Sequence, residues 1–217
     1  MDAAEAAIAP YAQRFERPAT EVIADLQRYR DLLARWQRVQ NLVSRETLDD
    51  FWARHIADSL QVLRSVDAGD RRFLDFGSGG GLPAIPLAIG RKGPTAMVFE
   101  LVEPNERKAA FLRTVARELA LPVEVFAIRA EQIDSRETSP PDVITSRALA
   151  PLSLLCRYAA PLFGRSTRAL FHKGREYGEE LVESRAQWDY DVVVHKSDTS
   201  ADGVLLELRN LRAKTAP

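Results

Sequence analysis

Apolar and polar positions change rhythm partway along this chain. From Thr20 onward, Val22, Ile23, Leu26, Tyr29, Leu32, Leu33 and Trp36 return at a 3.6-residue spacing. That spacing predicts an amphipathic helix, with Thr20 as its cap and Glu21 as its first-turn acid. A second helix is expected from Thr47 through "LDDFWARHIADSLQVL", with Phe51, Ile56, Leu60 and Leu63 as its buried stripe. After "DAGDRR" the pattern becomes short apolar runs: "FLDF" at 73–76, "AMVFELV" at 96–102, "VEVFAI" at 123–128, "DVITS" at 142–146 and "RALFHK" at 168–173. Helical patterns lie between them, clearest over 105–119 and 152–163. Such alternation predicts parallel strands with helices on both faces of the sheet. Two last runs, "DYDVVVHK" and "GVLLELRNL", read as closing strands that form a hairpin. The expected fold is α/β: a Rossmann-like, mostly parallel seven-stranded sheet over residues 66–217, preceded by a helical extension over 1–65, the whole forming one compact unit.

Composition narrows the chemistry. At 217 residues the chain can bury a core without staples. Its one cysteine, Cys156, excludes a disulfide framework and a cysteine-rich zinc site. It sits within "LSLLCRYAA", where a small core residue is expected. His55, His172 and His195 form no spaced metal pair, so no metal site is expected. There is no apolar run of membrane-spanning length and no basic-then-apolar leader, which points to the cytoplasm. The formal net charge is −1, so the chain is no global polycation. Residues 71–130, however, hold nine Lys+Arg against six Asp+Glu, enough for a local anion-binding face. The expected patch comprises the neighbourhood of Arg147, Lys173 and some of Arg71, Arg72, Arg91 and Lys92.

The sharpest local signal is "FLDFGSGGGLPAIPLA", Phe73 to Ala88. Glycines between a strand and a helix permit sharp turns and close ligand approach, and the helix start offers free N–H groups. A dinucleotide fingerprint needs G-x-G-x-x-G, and its third glycine position holds Leu82 here. The string that is present, Asp75-x-Gly77-x-Gly79-x-Gly81, resembles the S-adenosylmethionine loop of Rossmann-like methyltransferases. Glu103, 26 residues after Gly77, closes the next strand, where a carboxylate can accept from two ribose hydroxyls. Ligands of open parallel sheets sit beyond the carboxyl ends of the strands. That rule selects the exits Asp75–Leu82, Glu103, Arg129–Glu131, Ser146–Arg147 and Lys173–Gly174.

Absent motifs limit the acceptor. The fourth strand exits into "TSRALAPL" rather than an Asn-Pro-Pro-Tyr-like motif for exocyclic amines. Cys156 is no nucleophile for pyrimidine C5. A ring nitrogen with a free lone pair, such as guanine N7, requires neither base nor covalent intermediate, and positioning alone can lower the barrier by roughly 7–11 kcal/mol. A small-molecule acceptor fits the same absences. A nucleotide-binding module or NAD enzyme is a further alternative, against which Leu82 and "LPAIP" weigh.

Several longer strings resemble one family. "WQRVQNLVS", "RHIADSL", "FLDFGSGGGLPAIPLAI", "RKAAFLRTV", "RAEQI", "SRALAPL" and "HKG" are similar to the motifs of the RsmG family, formerly glucose-inhibited division protein B, over about Trp36 to Gly174. The resemblance implies a class I S-adenosylmethionine-dependent methyltransferase acting on guanine N7 in the 530 loop of 16S rRNA. The acceptor is naked 16S rRNA or the assembling small ribosomal subunit, and the expected state is a monomer. Carried over by residue, cofactor contacts fall on Gly77, Leu82, Ala130, Glu131 and Arg147, with Ala130–Glu131 against the adenine. Asp75, Gly79, Gly81 and Glu103 complete the expected cofactor set, and Arg147 and Lys173 are expected to position the substrate. Gln37, Ala84 and Glu103 stand where the family usually has Asn, Gly and Asp.

Overall fold

The computed structural model describes residues 2–43, 50–95, 97–134 and 139–214. Seven strands form one sheet in the order β3-β2-β1-β4-β5-β7-β6. They are β1 (Arg72–Phe76), β2 (Val98–Val102), β3 (Val123–Phe126), β4 (Val143–Arg147), β5 (Arg168–Lys173), β6 (Trp188–Lys196) and β7 (Val204–Ala213). β1 to β5 pair in parallel, and β7 inserts antiparallel between β5 and β6. The expected seven-stranded α/β architecture is therefore present, and the closing runs form the expected hairpin. Strand order reverses at β1/β4, the place where open α/β sheets form a ligand crevice.

Successive residues of β1 feed opposite cores. Phe73 packs with the extension side and stacks on Phe99 at 4.7 Å, while Leu74 and Phe76 join the core beneath α6 (Leu152–Ala159). This is the period-two alternation of a strand covered on both faces. In α4 (Ala84–Gly90) every residue is buried, as befits a helix that is apolar all round. It lies between the sheet and the extension. The helix α5 (Glu106–Glu118) opens on Asn105, whose Oδ1 accepts from the N–H groups of Arg107 and Lys108. The remaining covering helix, α7 (Tyr177–Ser184), has no counterpart among the predicted segments.

The extension contributes α1 (Ala3–Ile8), the 3₁₀ turn Ala9–Arg14 and α2 (Ala19–Gln37). It also supplies a π-helical segment, Trp52–Ala57, which runs through one α-turn, α3 (Asp58–Leu60), into the 3₁₀ turn Gln61–Ser65. The predicted stripe Phe51, Ile56, Leu60 and Leu63 is buried. The expected start at Thr47 lies outside the described residues, as does Ala96 at the head of the second run. At the other helix, Pro18 rather than Thr20 occupies the cap position, and no side chain caps it. Pro18 fixes φ there, and Thr20 falls inside the first turn. Val22, Leu26 and Leu33 enter the same apolar cluster as Ile85, Leu87 and Phe111, so extension and sheet share one core.

Candidate functional site

Beyond the carboxyl ends of β1, β2 and β4 the glycine loop folds back on the sheet. The N–H groups of Gly77 and Ser78 donate to the Val102 carbonyl at 2.9 and 3.2 Å. Gly77, Gly79 and Gly81 all have positive φ. A Cβ on Gly81 would lie 2.5 Å from Ile85 and 3.1 Å from Leu112, and one on Gly77 2.6 Å from Leu149. These two glycines therefore answer first to protein packing. Among the described residues, the nearest neighbour of a Cβ on Gly79 would be the Gly77 carbonyl at 3.7 Å, an ordinary contact distance. Gly79 is the place where a ligand can lie against backbone.

The extension completes the loop from outside. The Tyr29 hydroxyl donates to the Gly80 carbonyl at 2.6 Å. Gln37 accepts from Leu42 and Val43 N–H at 2.8 and 3.2 Å and donates to the Val43 carbonyl at 2.7 Å. This clasp holds residues 41–43 as one wall of a cavity of about 770 Å³. Its other walls include Gly77–Gly80, Leu82, His55, Lys108 and Arg147.

The predicted residues separate into groups. Gly77, Gly79, Leu82 and Arg147 line that cavity together. Asp75 lies beneath it, 1% exposed. Its Oδ1 accepts from Thr145 Oγ1 at 2.6 Å, and Oδ2 is buried without a partner among the described residues. Burial pushes its carboxyl up to about 7, the hydroxyls nearby offsetting only part of the desolvation. Glu103 is buried and bridges two elements, accepting from Gly79 N–H and Asn105 N–H at 2.9 Å each. Each of its oxygens retains a second lone pair. Ala130 and Glu131 stand at the exit of β3, away from the cavity walls, with Glu131 accepting from Tyr158 at 3.1 Å. Lys173 lies in a neighbouring pocket, pinned by Glu180 at 2.5 Å and the Ala150 carbonyl at 2.9 Å.

Arg147 is not the exposed strand-exit arginine its position suggests. Its guanidinium faces Asp58 at 3.2 Å, donates to the Arg54 carbonyl at 3.0 Å and meets His55 Nδ1 at 3.3 Å. Burial and the Arg147 charge lower His55 to about 4, so its imidazole is neutral at neutral pH. His172 is likewise lowered by burial, and Cys156 is pushed up to about 12 by burial, which suits an inert core thiol. His55, Asp58 and Lys108 were not singled out by sequence as site residues. The "RHIADSL" string contained the first two, but only the fold brings the extension to the strand exits.

The expected basic patch divides in the same way. Arg71 and Arg72 precede or begin β1, so they lie at the opposite end of the strand from the glycine loop, about 13 Å for a five-residue strand. Arg72 pairs with Glu100, Arg91 with Glu16 and Lys92 with Asp25. These four residues brace the far edge of the sheet and the extension rather than the site.

The family model for rRNA small subunit methyltransferase G matches residues 22–207. Among curated relatives, the chain is 40% identical to a Ribosomal RNA small subunit methyltransferase G of Rhizobium rhizogenes, over 91% of this chain and 97% of the relative. It is 43% identical to the Cereibacter sphaeroides protein of the same description, over 87% and 90% respectively. Among solved structures, the fold is similar to that of a T. thermophilus 16S rRNA N2 methyltransferase in complex with AdoMet and guanosine. That likeness has a TM-score of 0.51 and 15% identity, and covers 76% of this chain and 41% of the other.

Proposed function

Because the chain belongs to the rRNA small subunit methyltransferase G family, we propose that it transfers a methyl group from S-adenosyl-L-methionine to N7 of a guanine in the 530 loop of 16S rRNA. The acceptor is the RNA itself or the assembling small subunit, and the enzyme works as a cytoplasmic monomer. No helix among the described residues is long and apolar enough to cross a membrane.

The observation that carries the choice of N7 is the character of the cavity wall. Among the described residues it holds no carboxylate and no thiol, and the imidazole there, His55, is lowered to about 4 with Nδ1 facing an arginine. These described residues offer no base poised for proton transfer at neutral pH, which suits N7, a nitrogen with no proton to give. The residues fit the cofactor on three counts: uncrowded backbone at Gly79, the unsatisfied Asp75 oxygen, and Glu103 with lone pairs to spare. We assign cofactor contacts to Asp75, Gly77, Gly79, Gly81, Leu82, Glu103, Ala130, Glu131 and Arg147. Bound there, S-adenosyl-L-methionine supplies an electrophilic methyl group on a sulfonium. The protein's part is orientation: the glycine loop presents backbone, Glu103 fixes the loop, and Arg147, its fork held by Asp58, the Arg54 carbonyl and His55, places a fixed positive charge in the cavity wall.

The test is mapping of N7-methylguanine in small-subunit rRNA from cells with and without the gene. A single guanine should lose its methyl group when the gene is absent, and an unchanged map overturns the reading. For the purified protein, S-adenosylmethionine or its demethylated product should raise the melting temperature and NAD should not; equal stabilisation by NAD rejects the cofactor assignment.

A further inference from the structure

A second pocket of about 330 Å³ opens beside the first, and the two share Arg147 and Ala148 as a common wall. Four separate elements build it. The extension supplies Arg54 and Asp58, the β4 exit supplies Arg147, the β5 exit supplies His172 and Lys173, and the β6–β7 turn supplies Ser197, Thr199 and Ser200. The antiparallel register Lys196↔Val204 and Lys173↔Val204 sets that turn at the same end of the sheet as the parallel strand exits.

The lining has a definite chemistry. Three cations face one carboxylate. Asp58 is already committed, accepting from Thr199 Oγ1 and Gln61 Nε2 at 2.9 Å each and facing Arg147. Lys173 is tied to Glu180, so its charge is largely matched. Arg54 is exposed, and its guanidinium makes no ion pair or hydrogen bond among the described residues. Hydroxyls of the turn add neutral donors and acceptors. His172 Nε2 meets the Asp58 carbonyl at 2.9 Å, and a carbonyl can only accept, so that nitrogen carries the hydrogen. Its Nδ1 is therefore a bare acceptor, buried and with no donor among the described residues. An uncommitted guanidinium suits an anion, and an unsatisfied acceptor beside hydroxyls suits a group that carries its own hydroxyl. Ribose and phosphate together offer both.

We propose that this second pocket seats the RNA sugar–phosphate next to the methylated guanine, with Arg54 and the Ser197–Ser200 turn gripping it from opposite sides. This rests on the RNA reading above and locates its backbone contact. The shared Arg147–Ala148 wall then sets the distance between the gripped phosphate and the base in the first cavity, so register along the strand is fixed by the protein rather than by the base alone. The extension thereby contributes a substrate contact of its own.

The experiment compares Arg54→Glu and Ser200→Glu, on opposite sides of the pocket, with the unaltered protein. Readouts are affinity for a small-subunit RNA fragment across a salt series, methyl incorporation, and affinity for S-adenosylhomocysteine. Each variant should weaken RNA binding about tenfold, the scale of one charge-assisted contact at a partly exposed site. The slope of log affinity against log salt should fall by about 0.7–0.9 for Arg54→Glu, one phosphate's worth. KM for RNA should rise, while S-adenosylhomocysteine affinity stays unchanged. Unmoved RNA affinity in Arg54→Glu overturns the proposal. So does weakening by Arg54→Glu alone, because the cation then acts outside the pocket. If inorganic phosphate, at matched ionic strength, stabilises the protein through Arg54 while RNA affinity is unmoved, the pocket serves a free anion and the proposal is wrong. Should the unaltered protein fail to methylate the RNA, the functional reading falls and takes this inference with it.

Discussion

Replacing Asp75 by asparagine should make the protein less stable in acid and more stable at alkaline pH. Desolvation moves the Asp75 carboxyl from 3.8 up to about 7, with the Ser78 and Thr145 hydroxyls pulling it back and the Glu103 charge adding a smaller push upward. Between those values the native state holds a proton that the unfolded chain has released, so stability falls as pH rises. The loss is about 1.4 kcal/mol per pH unit, about 4 kcal/mol across the interval, and it levels off above pH 7. Asparagine cannot titrate, so the variant escapes this loss. Its Oδ1 can still accept from Thr145, but its amide nitrogen replaces an oxygen that has no partner. Near pH 4 the protonated Asp75 already buries one unpaired O–H, so the amide's second N–H is the additional unpaired donor, and it costs about 1–3 kcal/mol. The variant should therefore be about 1–3 kcal/mol less stable near pH 4 and about 1–3 kcal/mol more stable at pH 8. Urea unfolding of both proteins without ligand, at intervals from pH 4 to 8, measures the difference. A constant offset across that range means that Asp75 is ionised in the native state, and the reasoning fails.

Arg147→Ala should lose most methyl incorporation and, because it removes three contacts to the extension, also about 1–2 kcal/mol of stability. Arg147→Lys can restore the charge opposite Asp58 but not the planar fork, so it should recover only part of the activity; full activity in a well-folded Arg147→Ala protein rules the role out. Gly81→Ala should cost more than 2 kcal/mol, since it meets Ile85 at 2.5 Å with φ at +92°, whereas Gly79→Ala should cost about 1 kcal/mol yet abolish S-adenosylhomocysteine binding. Thermal melts and ligand titrations of the pair separate packing from cofactor approach, and equal ligand affinity in Gly79→Ala refutes the assigned contact.

The sheet was legible because its strands are short apolar runs separated by amphipathic helices. The run 168–173 coincides with β5, while β3 stops at Phe126, two residues short of the run, as the chain turns toward Ala130. The helix α7 escaped notice because only Ser184 is buried within it. A helix lying on the surface shows little of the periodic stripe that marks a core-facing one. The glycine loop and Arg147 were visible as strings, but their surroundings were not. Arg71 and Arg72 precede the run 73–76 and so sit at the amino end of β1, opposite its exit; their grouping with the site rests on charge alone, against the strand direction that the chain itself gives. Sequence does not show that Asp58, 89 positions before Arg147, reaches across to that guanidinium. Such pairings depend on how the extension packs, and no local pattern encodes them.

The hydrogen bonds of α2 also set a timetable for synthesis. The Gly80 carbonyl that Tyr29 reaches lies 51 residues downstream, and the Glu118 carbonyl held by Arg28 lies 90 residues downstream. At about 5–20 residues per second, the first of these partners appears about 3–10 s after the helix itself. Through that interval Val22, Leu26 and Leu33 have no sheet or α4 to cover them. The segment made first is thus the one that waits longest, and its apolar stripe is the natural foothold for a chaperone on the nascent chain.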